Sequence, residues 1–370
     1  MTSGIEDRLR DAFAAGAELV SAEQLRPTQD VGLSRVSGRP RRRLRVLPLL
    51  AAVSIAAVVG VAAVVPALVG HPAAPAPGNA ADPGFSTVVD RLAQRVEQPG
   101  KYWRSEMETI TWGRVQKQTY KSEARVKRVW WATPGGPVWE TTPLFTRPAT
   151  PADEKKWRKA GSPELCGTTV GCDGAQIRHG TTEYYFSKTF ELSVPLTGRE
   201  ILNLPQDPDA LKAVILRLWS PQRDAERRGE IKYRNAASDS DRLWWTGEAL
   251  LTQAPAPPKV RAAVLRILAD LPGASLVDQA KDVDGRSGIA IVRKSDRDPV
   301  EKQIIIDRTT GDVLGTLDVA LPDTRMDKAG WRAGDLFSAG LMRKLGRTDE
   351  GPVLPKGCQP KAEAICDTFH

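Results

Sequence analysis

From Val46 to Val69 the chain carries no charged residue, and nearly every side chain is Ala, Val, Leu or Ile. As an α-helix rising about 1.5 Å per residue, such a run covers the roughly 30 Å hydrocarbon core of a bilayer with some tilt. Its one polar side chain, Ser54, can bond back to its own helix. Pro48 falls in the first turn, where a missing N–H costs little, and Pro66 falls near the far end. This run divides the chain into two portions, one on each side of a membrane.

Orientation comes from the flanks. Arg39, Arg41, Arg42, Arg43 and Arg45 precede the run directly, whereas no Lys or Arg follows it until Arg91. The positive-inside rule therefore places the N-terminus in the cytoplasm and the remainder outside. The alternative is a cleaved signal peptide, which would need an unusually long basic region and an apolar stretch about twice the common length. An Ala-rich stretch lies beyond the run, so cleavage stays open as the alternative. No Cys lies near its end, which argues against a lipoprotein anchor.

The cysteines agree with an exported domain. All four, Cys166, Cys172, Cys358 and Cys366, lie beyond the anchor, and an even count in an oxidising compartment suggests disulfides. Two close pairs make Cys166–Cys172 and Cys358–Cys366 the natural pairing. A metal site is the alternative, although neither pair has the short zinc-knuckle spacing.

Five segments are expected. Residues 1–45 form a basic cytoplasmic tail whose stretch 5–25 reads as an amphipathic helix, with Ile5, Leu9, Phe13 and Leu19 on one narrow stripe. A stripe with no core of its own to cover needs a partner. Residues 46–69 are the transmembrane helix, and 70–84 a Pro/Ala/Gly linker. Residues 85–320 form one extracytoplasmic domain, and 321–370 an irregular extension with a cysteine pair.

Within the outer domain a helix is expected at about 85 to 97, then alternating strands over 101 to 112, 116 to 132, 138 to 142 and 183 to 192. Helices are expected next from Asp207, from Asp239 to Gln253, and from Pro258 to Pro272. Four strands, 274 to 282, 288 to 294, 301 to 307 and 313 to 320, complete a meander. Ile304, Ile305 and Ile306 run without interruption, which predicts a strand covered on both faces. Strands, helices and then strands define an α+β fold: an antiparallel sheet covered by helices.

Several stretches occur in a telling order: a basic tail and anchor, a strand opening PGKYW, LPQDPDALKAVILRL (204 to 218), PPKVRAAVLRILADLPGASLV (257 to 277) and IIIDRTTGDVLG (304 to 315). The chain resembles an uncharacterised actinobacterial family of single-pass membrane-anchored proteins, often encoded beside extracytoplasmic-function sigma factors. The outer domain also looks like the half-barrel of lipoprotein carriers and their relatives, as an analogy of fold. These resemblances imply an envelope location and a regulatory setting.

Chemistry is sparse. The three histidines are His71 in the linker, His179 alone and His370 at the last position, and no Gly-x-Ser-x-Gly elbow accompanies them. No Walker loop, dinucleotide fingerprint, zinc-protease helix or calcium loop is present, so neither a cofactor nor a metal is expected. The net charge of +8 is interspersed with acids after residue 100, which argues against nucleic acid. An enzyme is not expected, although a hydrolase working through carboxylates alone stays a third reading.

Ten tryptophans are the unusual resource. Trp103, Trp112, Trp130, Trp131 and Trp139 fall in the first strands and are candidates to line an apolar ligand pocket. Trp130 and Trp131 are adjacent, so on a strand they face opposite ways. The leading expectation is a regulatory or sensory envelope protein, its outer domain binding a ligand or protein while its tail contacts a sigma factor or related cytoplasmic regulator. The alternative is a membrane-anchored carrier or binding module for lipid or cell-wall material.

Overall fold

The computed structural model describes residues 82–114, 120–163, 165, 181–230, 237–295, 299–323, 331–356, 358 and 365–369. The tail with Ile5, Leu9, Phe13 and Leu19, the arginines Arg39, Arg41, Arg42, Arg43 and Arg45, and the Val46–Val69 run all lie outside those residues. Among the described residues, no helix is long and apolar enough to cross a membrane.

The first helix, α1 (Pro83–Gln94), starts where the Asp82 carboxylate accepts from Phe85 N at 2.9 Å, with Pro83 as its first residue. Its Phe85, Val88, Val89 and Leu92 recur at helical spacing and are all buried. Three long strands come next, β1 (Tyr102–Arg114), β2 (Lys121–Thr133) and β3 (Gly136–Pro148). The tight β2–β3 turn requires Gly136: its φ is +119°, and a Cβ there would meet Ser187 O at 2.3 Å. The chain continues through α2 (Pro151–Lys159), β4 (Thr181–Phe186) and a two-residue ladder of β5 (Phe190–Glu191) with β6 (Pro195–Leu196).

Five helices form the middle of the domain: α3 (Gly198–Leu202), α4 (Pro208–Leu218), α5 (Ser220–Arg227), α6 (Asp239–Thr252) and α7 (Pro258–Ala269). Asp207 caps α4 by accepting from Ala210 N, with Pro208 at the first position, as the sequence predicts. Strands β7 (Ala274–Lys281), β8 (Ser287–Lys294), β9 (Val300–Ile306) and β10 (Val313–Ala320) form the predicted meander. The chain closes with β11 (Leu336–Thr348) and β12 (Ile365–Phe369).

One ten-stranded antiparallel sheet results, in the order β12-β4-β3-β2-β1-β11-β10-β9-β8-β7. It stays open, with β12 and β7 at its two ends. The fold is α+β, as expected, and the resemblance to a half-barrel holds only as far as this open antiparallel sheet. Between 321 and 370, expected to be irregular, the described residues include two strands of this sheet. One is β11, which lies between β1 and β10 and joins the two halves of the sheet. Gly340, Gly346 and the bulge at Arg343 interrupt its alternation, which hides the strand from a period-two reading.

The two faces of the sheet differ. One carries the helical layer: α1, α4, α6 and α7 pack on Ile289, Ile291, Ile304, Ile306, Val313 and Met342. The other carries a smaller cluster of Ile110, Ala290, Val292, Ile305, Leu317, Ala339 and Leu341. Ile304 and Ile306 thus point one way and Ile305 the other, which explains their uninterrupted apolar run. The central helix α7 is buried nearly all round, including Arg261, whose guanidinium pairs with Asp312 of the β9–β10 turn. Asp312 also accepts Arg95 beyond α1 at 2.7 Å, so one carboxylate ties two helical segments to one turn.

Candidate functional site

Register alone builds the site. Antiparallel partners point to the same side of a sheet, and every second residue of a strand shares that side. Ser105 of β1 faces Trp130 of β2, Trp130 faces Trp139 of β3, and Trp139 faces Tyr185 of β4. These side chains form one row across four strands, on the face that carries the helices farther along. The neighbouring row is Met107, Arg128, Thr141 and Glu183.

The helical layer ends at this row. Ser105 Oγ donates to Thr252 O, at the C-terminal end of α6. Sheet members of the helical core come from β7 to β11, β1 and β2, through Met107 and Ala132. At another border, Ser187 N donates to Pro137 O at 3.2 Å and starts the segment that carries Phe190, Leu192, Val194 and Leu196 into that core. Between these borders Trp130, Trp139 and Tyr185 remain half-buried. Trp139 and Tyr185 stack with centroids 5.3 Å apart and planes at 7°.

The polar row beside the aromatics is unbalanced. The half-buried Arg128 donates to Thr109 Oγ1 at 3.4 Å, a long contact, and forms no ion pair among the described residues. Burial pushes its guanidinium below the usual arginine range, and the nearby Tyr185 phenol opposes that push. Other arginines of the strands are paired: Arg104 with Glu106, Arg125 and Arg343 with Glu108, and Arg293 with Asp241. Glu183 is buried and accepts the Tyr185 hydroxyl, and no ion pair joins it to Arg128 among the described residues.

The register distributes the five candidate tryptophans over both faces. Trp103, Trp130 and Trp139 share the helix-bearing side, whereas Trp112 and Trp131 point to the other. Trp131 packs with Val129, Val138 and Phe186, and the Arg104 guanidinium lies 4.8 Å from its ring centroid. Trp112 borders Val300, Ala320 and Trp331. The five do not line one pocket. Two clefts of the described surface lie on the helices, bounded by charged residues such as Lys212 with Arg266 and Arg223 with Arg242, and neither is lined by tryptophan.

Cys358 is disulfide-bonded and packs against the Trp131 cluster. On β12, Cys366 lies opposite Tyr184, which borders that same cluster. Cys166 and Cys172 lie outside the described residues. Among the described residues, no group of three or more His, Cys, Asp or Glu could hold a metal ion.

The sequence expectation named Trp130 and Trp139, but not Arg128, Tyr185 or Glu183, as neighbours on this face. A signal existed for the first: in KSEARVKRVWWAT, Arg128 and Trp130 have the same parity, so a basic residue shares the face of a tryptophan.

No protein-family model matches the chain, and no curated protein does. Two solved structures are similar to it. One is a DUF1329 family protein from Desulfovibrio piger, at 10% identity over 73% of this chain and 93% of that one, with a TM-score of 0.21. The other is a domain assigned to outer membrane lipoprotein sorting, from Vibrio parahaemolyticus, at 10% identity over 70% and 92%, with a TM-score of 0.20. Both scores mark a weak likeness.

Proposed function

We propose that the chain is a membrane-anchored, non-catalytic cell-envelope protein whose described domain binds a lipid-like or cell-wall ligand on the Trp130–Trp139–Tyr185 row. The observation behind this reading is the half-buried row itself, stacked and set where the helical layer ends. Aromatic faces left partly open at such a border suit the apolar part of a ligand, because burying them there gains roughly 25 cal/mol per Å². The anchor and outward orientation come from Val46–Val69 and the arginines before it.

The regulatory reading, with a sigma factor or related regulator on residues 5 to 25, draws on a tail outside the described residues. No described residue favours it, so the binding-module reading stands ahead. Hydrolysis by carboxylates alone has no supporting arrangement at the aromatic row, beside which the carboxylate of Glu183 is engaged by Tyr185.

The test is organic extraction and mass spectrometry of the full-length protein purified from native membranes, beside a Trp130→Ala/Trp139→Ala variant. An apolar species enriched with the wild type and depleted from the variant supports the reading. Extracts that match in the two proteins, together with no uptake of an added alkyl probe, would sink it.

A further inference from the structure

A charged group at the edge of an apolar shelf states what the rest of a ligand must carry. Arg128 is a half-buried guanidinium on a sheet where the strand arginines Arg104, Arg125, Arg293 and Arg343 all meet carboxylates. Its contact is the Thr109 hydroxyl, and its cross-strand partner is Thr141. For its five N–H donors the described residues supply one long hydrogen bond, to Thr109, with the Tyr185 phenol nearby and no ion pair. Leaving a partly desolvated cation in that condition costs stability, and a bound anion would remove the cost.

We propose that Arg128, with the Thr109 and Thr141 hydroxyls, is the subsite for the phosphate group of an alkyl or acyl phosphate whose apolar part lies on the Trp130–Trp139–Tyr185 shelf. This rests on the binding-module reading and adds the headgroup chemistry to it. Arg128 and Trp130 are two residues apart on one strand, so their side chains leave the same face from backbone positions about 7 Å apart. A phosphate and the first carbons of its chain span that distance. Guanidinium binds phosphate oxygens in a fork, and two hydroxyls beside it add donors for a third oxygen. A carboxylate has only two oxygens and would leave that donor unused.

The experiment titrates the full-length chain, reconstituted in phosphatidylcholine nanodiscs, with octyl phosphate, octanoate and octanol by calorimetry against empty discs. Octyl phosphate is expected to bind about tenfold or more tighter than octanol, the scale of one charge-assisted hydrogen bond, with octanoate between them. Arg128→Gln should abolish the preference while octanol binding persists, and Arg128→Lys should restore only part of it. Thermal midpoints of Arg128→Gln and Arg128→Met at or above that of the wild type support a binding role. A large fall in both would show a structural arginine and overturn the proposal.

Octanol binding as tightly as octyl phosphate, or Arg128→Gln keeping the preference, overturns the subsite and leaves the aromatic shelf standing. Octanoate matching octyl phosphate overturns the phosphate assignment. No binding of any probe removes both the subsite and the shelf.

Discussion

Asp241 and Arg293 pair at 3.0 Å with both side chains 2% exposed, joining the first turn of α6 to β8. The same carboxylate accepts from Ser238 N, while Ser238 Oγ accepts from Asp241 N. One acid therefore completes a helix cap and neutralises a buried arginine. Buried pairs gain little over apolar packing, but breaking one strands a charge. Asp241→Asn or Arg293→Met alone should lower unfolding free energy by about 3–5 kcal/mol. The double change Asp241→Leu/Arg293→Met should cost less than the two single losses combined. Urea denaturation of the full-length chain measures this, and single losses under about 1 kcal/mol would contradict it.

Arg286 performs a related task at the β7–β8 turn. Asp282 accepts from Asp284 N, Arg286 N and Arg286 Nε, and this fixes the guanidinium. Arg286 then donates to Met342 O at 3.0 Å and to Leu314 O at 2.6 Å. Leu314 is itself a bulged residue, and Met342 directly precedes the bulged Arg343. Arg286→Ala should therefore cost about 2 kcal/mol, and Arg286→Lys should recover little because an ammonium lacks the fork. Hydrogen exchange would register the loss first in β10 and β11. Unchanged protection there would count against this account.

Two carboxylates give opposite pH responses. Burial pushes Glu108 up, but hydrogen bonds and charge from Arg343 and Arg125 outweigh it and hold the group below the usual carboxylate value. Its contribution is therefore present at neutral pH, above the unfolded value, and is lost as pH falls through the folded one. Glu108→Gln should lower stability near pH 7 by about 1 kcal/mol and flatten the acid side of the profile. Glu248 is raised chiefly by burial, with Asp318 adding to the push and Lys302 and the Trp244 indole opposing it. Holding it ionised costs stability, so Glu248→Gln should raise the thermal midpoint near pH 8 and change little near pH 4. Midpoints measured across pH would decide both signs.

The cysteine pairing has a direct readout. Non-reducing peptide mapping should find Cys358, which packs at the Trp131 cluster, joined to Cys366, whose backbone pairs with Tyr184. Cys366→Ser should then leave Cys358 free and cost about 2–3 kcal/mol by the loop-entropy estimate. Cys358 recovered with Cys166 or Cys172 would refute the pairing.

The elements with strong local signals were legible. Asp207-Pro208 announces a capped helix, and the meander from Ala274 to Ala320 alternates between turns carrying Gly285 and Gly311. Ile304–Ile306 correctly forecast a strand covered on both sides. The neighbours of β11 were not legible, because strand order depends on long-range pairing that no local pattern encodes. The tryptophans show the same limit. Parity separates Trp130 from Trp131, yet only the pairing of β2 with β3 and β4 reveals that Trp130, Trp139 and Tyr185 form one row. Arg128 acquires meaning only once its neighbours are known, a property of the folded sheet rather than of the local sequence.

The place of β11 also sets a timetable. It enters the sheet between β1 and β10, yet a ribosome makes it after both and after every helix described in the domain. Until Leu336–Thr348 emerges, β1 and β10 each have an open edge, and such edges invite pairing with other chains. The nascent domain must wait for its seam, and its exposure to misassembly is longest just before synthesis of that strand is complete.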